Sequence, residues 1–100
     1  MGPKSIEALM SEAFIDNSAQ GRFELTESGH LTYASYKIVD GKMLIPYVEA
    51  AIPLRGTGAA GRLMTQVAAA SPAKNVKVVP LCGYAAMWFR RHPEHKDLLD

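Results

Sequence analysis

The sequence predicts an α/β fold: a mixed, mostly antiparallel sheet with one splayed parallel strand pair and two to three helices. Three observations predict it. Polar and apolar residues alternate through much of the first half, and Asp40-Gly41 interrupts a β-rich stretch as a two-residue hairpin turn does, which makes its flanks antiparallel. Past residue 58 the apolar spacing lengthens from two to three or four, the period of a helix. A second β-rich run follows that helix, so 42–52, the helix and 76–81 form a crossover, which joins parallel strands.

Each element has its own signal. Met1 to Glu12 is expected to be a short helical or frayed lead, and "FIDN" (14–17) a brief strand. "GRFEL" (21–25) alternates, with Phe23 and Leu25 inward and Arg22 and Glu24 outward. "TESGH" (26–30) supplies a turn through Ser28 and Gly29, and places His30 at the surface. "LTYASYKIV" (31–39) is rich in aromatic and β-branched residues. "KMLIPYVEAAI" (42–52) is the returning strand, and Pro46 inside it marks an edge, a bulge or a splayed position because proline cannot donate to a ladder. Ala60, Leu63, Met64, Val67 and Ala70 line one face of a helix over 58–70, which Ser71-Pro72 closes, since a residue before proline is pushed from helical dihedrals. "NVKVVPL" (75–81) reads as a buried strand and "YAAMWFRRH" (84–92) as a second helix halted by Pro93. "PEHKDLL" (93–99) gives a final helical turn or two, with Pro93 first and Glu94 near the N-terminus.

Bulk composition narrows the function. One hundred residues, 48% hydrophobic and 21% charged, fit one small domain. A net charge of +1 argues against a nucleic-acid surface, and no apolar run approaches the ~20 residues of a membrane span. The start lacks the apolar centre of a signal peptide and, with Ile6 where Ser or Thr is wanted, the myristoylation pattern. The single cysteine, Cys82, excludes an internal disulfide and fits a reducing compartment, so a soluble cytoplasmic domain is expected.

The stretch "PLRGTGAAGRL" (53–63) stands where a strand hands over to a helix. The first N–H groups of a helix lack intrahelical partners and, with the positive dipole end, favour an anion. Gly56, Gly58, Ala59, Ala60 and Gly61 would let a pyrophosphate approach the backbone, with Arg55 and Arg62 adding charge-assisted bonds. The G-x-x-x-x-G-K-[ST] pattern fails, because no Lys-Ser or Lys-Thr follows Gly61. Gly56, Gly58 and Gly61 match G-x-G-x-x-G by letter, but no early βαβ unit leads into them and no acidic residue lies at the required distance.

A third pattern fits better. Arg55-x-x-Gly58-x-Ala60 resembles the Q/R-x-x-G-x-G/A signature of the GNAT superfamily of acyl-CoA N-acyltransferases. Alone, that motif leaves a plain structural turn open. "NSAQGRFEL" (17–25) resembles the opening of a small branch of about 90–100 residues in that superfamily, and "VVPLCGYAAMWFRRHPEHKDLL" (78–99) resembles its C-terminal V-P-x-C…R-H-P-E signature. The resemblance spans roughly residues 14–99 and implies a lead at 1–13 followed by a minimal acyltransferase domain at 14–100. It implies two parallel strands that splay to admit acetyl-CoA, with the pyrophosphate of coenzyme A held at 55–62, Thr57 included, and the backbone of Ala50, Ala51 and Ile52 pairing with pantetheine amides. That branch carries a His-Thr pair in the strand before the loop, where this chain has Tyr47 and Val48, so no role of that His transfers.

Acylation of an amine needs a base for the ammonium, whose free pKa lies near about 10.4, stabilisation of the oxyanion and a proton for the thiolate. Glu49, near the end of the strand beside the cofactor site, is the candidate base; an exposed strand carboxylate is the plainer reading. The oxyanion is expected at a backbone N–H near Ala50–Ile52. Cys82 is expected beside the thioester, as acyl acceptor, proton donor or packing residue. Tyr84 resembles in position a tyrosine that some GNAT enzymes use as general acid, and packing is its alternative. Arg90 or Arg91 could reach the 3′-phosphate or adenine end of the coenzyme, or simply favour the helix end. His92-Pro93-Glu94-His95 only superficially resembles a metal pair, and no metal is expected.

The leading reading is thus direct acyl transfer from acetyl-CoA to an amine in a ternary complex, the amine being a small molecule or a protein lysine or N-terminus, by a monomer or weak homodimer. Two alternatives stay open: a catalytically weak or inactive CoA-binding module, and an α/β interaction domain whose loop is only a turn.

Overall fold

Five strands in sequence order make one sheet, in a computed structural model that describes residues 13–100. The helical or frayed lead expected at Met1 to Glu12 lies outside the described residues. The strands are β1 (Ala13–Asn17), β2 (Arg22–Glu27), β3 (His30–Val39), β4 (Lys42–Ala50) and β5 (Lys77–Pro80). Neighbours from β1 to β4 are antiparallel, and β4 and β5 are parallel. Two helices, α1 (Ala59–Ala70) and α2 (Gly83–Arg91), complete the crossover and the return.

The turns follow from residue chemistry. Asp40 and Gly41 have φ of 52° and 75°, the left-handed pair that a type I′ hairpin turn requires. Ser28 and Gly29, at 51° and 77°, make the same turn between β2 and β3. The expected five-residue turn "TESGH" therefore shrinks to its two middle residues, and His30 opens β3 opposite Glu27. The returning strand also ends earlier than expected: Ile52–Leu54 is a 3-10 turn with proline at its start.

Phe23, Leu25, Ala34, Met43, Ile45 and Val78 fill one sheet face and meet Leu63, Met64, Val67 and Ala68 of α1 with Ala85, Trp88 and Phe89 of α2. Each large side chain buried there contributes about 1.5–3 kcal/mol by leaving water. The apolar stripe of α1 is rotated slightly from expectation, with Ala59 and Ala68 buried and Ala60 and Ala70 only half-buried. Residues that alternate with this core, including Arg22, Glu24, Tyr33, Tyr47 and Glu49, occupy the opposite sheet face. Glu24 was expected outward, and it does point away from the helices, but it is only 8% exposed. Arg22 Nε at 2.5 Å and Asn17 Nδ2 at 3.1 Å both donate to its Oε2.

Two prolines act differently. Ile45 and Pro46 together oppose the single residue Tyr36, because the β3–β4 register runs Ser35↔Tyr47 and then Lys37↔Leu44. Pro46 is thus the extra residue of a β-bulge, a position that needs no ladder donor. Ser71-Pro72 closes the α-helix at Ala70 as expected, but not by pushing Ser71 out of helical dihedrals. Ser71 keeps helical dihedrals (φ −60°, ψ −40°), its buried hydroxyl donates to Val67 O at 2.7 Å, and a 3-10 turn over Ser71–Lys74 runs on to Asn75 in the left-handed region. Tertiary burial overrides the local bias at Ser71. At the C-terminus a 3-10 segment, Pro93–Leu98, leads Leu99 into a parallel bridge with Val78, and Asp100 N donates to Val78 O at 3.0 Å. These contacts protect the outer edge of β5.

Candidate functional site

The site begins where the parallel pair opens. The β4–β5 ladder runs from Lys42↔Lys77 to Ile45↔Pro80 and stops. Its last acceptor is Ile45 O, which receives both Leu81 N at 3.0 Å and Cys82 N at 3.1 Å. From that vertex β4 continues to Ala50 while the other chain turns into α2. The bulge at Ile45-Pro46 lies at the same point, so one proline both bends β4 and ends the pairing. Farther along, Ala51 N donates to Leu31 O at 2.9 Å and so faces β3. Alternation turns the backbone of Ala50 the other way, and Ala50 O accepts Arg55 Nε at 3.2 Å. Of the three expected positions, Ala51 is bonded to β3 and Ile52 has left the strand, which leaves the Ala50 amide as the one turned away from β3.

Beside this opening lies the glycine-rich loop. Gly56 and Gly58 have φ of 80° and 86°, the left-handed region that costs other residues energy. Gly58 is the N-cap of α1, which has no side-chain cap and no acidic residue in its first turn. The first intrahelical bond is Arg62 N to Gly58 O at 3.0 Å, so the N–H groups of Ala59, Ala60 and Gly61 precede the ladder. A Cβ on Gly61 would lie 3.4 Å from the hydroxyl of Tyr84, so this glycine lets α2 close onto the start of α1.

Two adjoining cavities meet there. One, of about 270 Å³, is lined by Ala50, Arg55, Gly56, Gly58 to Gly61 and Tyr84. The other, of about 330 Å³, runs between the helices past Arg62, Thr65, Trp88, Arg91 and His92. They share Gly58, Gly61 and Tyr84. Of the two expected candidates, Arg90 and Arg91, it is Arg91 that lines this groove; both residues are exposed. The spacing Tyr84, Met87, Trp88, Arg91 (i, i+3, i+4, i+7) already holds that answer. Burial pushes the Tyr84 phenol above its ordinary value, with the Arg91 charge offsetting part of the rise.

The remaining expected site residues lie around these cavities. Thr57 turns its hydroxyl to Leu54 O at 2.6 Å, away from a ligand-facing role. Arg62 Nε and Nη2 grip Glu27 at 2.7 and 3.1 Å, a contact spanning 35 residues that no local motif announces. Cys82 is the N-cap of α2, its Sγ accepting Ala85 N at 3.3 Å. On the open sheet face the Tyr47 hydroxyl donates to Glu49, which pushes the Tyr47 phenol up. Arg55 Nη2 stands 3.7 Å from the other Glu49 oxygen, and Tyr33 packs beside Tyr47 with ring centroids 6.0 Å apart. His92 and His95 both stack on Trp88, at 4.1 and 5.5 Å. Among the described residues no three His, Cys, Asp or Glu side chains are grouped so as to hold a metal ion.

Comparison with known proteins agrees with this geometry. A family model described as GCN5-related N-acetyl-transferase matches residues 22–98, most of the chain and all of the site. No curated protein matches it.

Proposed function

We propose, from the premise that the chain belongs to the GCN5-related N-acetyltransferase family, that it transfers an acetyl group from acetyl-CoA directly to an amine. The observation that carries this reading is the opening of the parallel pair at Ile45 beside an uncapped, glycine-rich helix start. The residues fit the coenzyme by two features: positive-φ glycines leave the loop bare, and the first-turn amides lack helical partners.

In this reading the amides of Ala59, Ala60 and Gly61 and the Arg55 guanidinium hold the pyrophosphate. Arg91 and His92, in the interhelical groove, meet the nucleotide end. The backbone of Ala50 pairs with the pantetheine arm and supplies the oxyanion donor. When bound, acetyl-CoA supplies an acyl carbon activated as a thioester. Glu49 takes the proton of the acceptor ammonium, the amine nitrogen bonds to the acyl carbon, and the carbon–sulfur bond breaks. Tyr84, held protonated by its burial, would give its proton to the departing thiolate, and the second proton shed by the nitrogen as the amide forms would restore the phenol.

The decisive experiment combines calorimetry with turnover. Acetyl-CoA binding and acyl transfer to a panel of amines, both reduced by Gly58→Asp, are expected. Binding without transfer across the panel would favour a coenzyme-binding module, a reading supported by the ties of Glu49 to Tyr47 and Arg55.

A further inference from the structure

We propose that Arg62, Glu27 and Thr57 form a strap that sets the glycine-rich loop in its anion-receiving shape, with Arg62 a positioning residue and not a phosphate ligand. The inference rests on the coenzyme reading above.

The geometry is a two-ended clamp. At one end the Arg62 guanidinium meets both oxygens of Glu27 in a fork, Nε to Oε2 at 2.7 Å and Nη2 to Oε1 at 3.1 Å. Glu27 closes β2, and its side chain is only 11% exposed, so this anchor belongs to the rigid sheet. At the other end Nη1 donates to Thr57 O at 2.7 Å and Nη2 to Thr57 Oγ1 at 3.2 Å. Thr57 is itself pinned, since its hydroxyl and its amide N–H both donate to Leu54 O, at 2.6 and 3.1 Å. One planar side chain thus ties sheet, loop and helix α1 together.

Two consequences follow. The Thr57–Gly58 peptide is planar and trans, so a carbonyl held against Arg62 turns the Gly58 N–H away from it. A flipped peptide would put the Thr57 carbonyl dipole where the pyrophosphate is expected. Second, Gly58 is required twice, by its positive φ and because a Cβ there would lie 3.3 Å from Arg62 Nη1. The charge of Arg62 is already matched by a forked carboxylate, a partner a phosphate would have to displace. Arg55 differs: its side chain is 58% exposed and stands 3.7 Å from Glu49, a loose pair that a phosphate can outbid.

The test uses Glu27→Gln and the milder Arg62→Lys, which keeps the charge and loses the fork. Three readouts are taken: affinity for acetyl-CoA, affinity for acetyl-pantetheine, which lacks the pyrophosphate, and hydrogen exchange of the amides of residues 57–61. Both variants are expected to weaken acetyl-CoA by roughly tenfold, the scale of one lost charge-assisted hydrogen bond. Acetyl-pantetheine affinity should hold, and loop exchange should quicken. Tighter acetyl-CoA binding by Glu27→Gln would overturn the strap, because it would make Arg62 a phosphate ligand restrained by Glu27. Unchanged loop exchange overturns it too, as does equal weakening of both ligands. If the unsubstituted protein fails to bind acetyl-CoA, the coenzyme reading falls, and loop exchange in the variants still decides the strap.

Discussion

Gly61→Ala should make this protein more stable and a poorer binder of acetyl-CoA. Gly61 lies in the first turn of α1 without a positive φ, so it needs no glycine for its backbone. Alanine there reduces the freedom of the unfolded chain and raises helix propensity, worth about 0.5–1 kcal/mol. Against this, the new Cβ would sit 3.4 Å from the Tyr84 hydroxyl, at the near edge of ordinary van der Waals contact. The end of a tyrosine ring moves a few tenths of an ångström at little cost, so the gain outweighs the contact. For a chain of this size a gain near 1 kcal/mol raises Tm by about 4–8 °C. The same methyl stands between α1 and Tyr84, where both cavities meet. Differential scanning calorimetry and a coenzyme titration read the two effects separately. A fall in Tm would refute the claim that the contact with Tyr84 is easily relieved, and a gain in Tm with unchanged acetyl-CoA affinity would refute the claim that a ligand approaches Gly61.

Three other outcomes are expected. Cys82→Ala should cost about 1 kcal/mol by removing the N-cap of α2, whereas Cys82→Ser should keep the cap, the stability and any acyl transfer; loss of transfer in the serine variant alone would give the thiol a chemical role. Thr32→Val should stabilise by about 1 kcal/mol in denaturant unfolding, because the buried Thr32 hydroxyl has no hydrogen-bond partner among the described residues; destabilisation would mean that it has one. Stability should also fall above about pH 10. Burial lifts Tyr84 and Tyr36 above the ordinary 10.0, the Glu49 hydrogen bond lifts Tyr47, and the Asp16 hydrogen bond lifts Lys74 above 10.5. A raised pKa means that the folded protein holds the proton more tightly, so each contribution is complete below the ordinary value and lost as pH climbs through the raised one. Tm against pH should therefore be level and then decline, less steeply in Tyr36→Phe, and a rise on the alkaline side would contradict this.

What the sequence disclosed and what it withheld divide along contact distance. The Asp40-Gly41 turn, the alternation of Phe23 and Leu25, and the Leu63–Met64–Val67 stripe are local patterns, and each became the expected structure. Pro46 announced a break in pairing, and only the register showed it to be the bulge at which the parallel strands part. Ser71-Pro72 marked the end of α1 correctly, although Ser71 itself stays helical because its burial outweighs the preference of a residue before proline. The burial of Glu24 needed Asn17, the last residue of β1, which reaches it across the turn between β1 and β2. Within the site, the loop and Tyr84 came together as their motifs suggest. Glu27 could not be found, since its tie to Arg62 depends on how β2 and α1 stack. Between Arg90 and Arg91 the spacing to Tyr84 already favours Arg91, the one that lines the groove. Cys82 as a cap was hidden because cysteine is not among the usual capping residues.

The central claim is that the loop from Arg55 to Gly61 receives the pyrophosphate of acetyl-CoA where β4 and β5 part. The most direct measurement is an amide NMR titration of the protein with acetyl-CoA. The account predicts saturable shifts concentrated at Ala50, at Gly56 to Gly61 and at Tyr84, with the Lys42–Ile45 end of β4 unmoved. No saturable shift at a millimolar concentration, or shifts that spare the amides of Ala59 to Gly61, would contradict it.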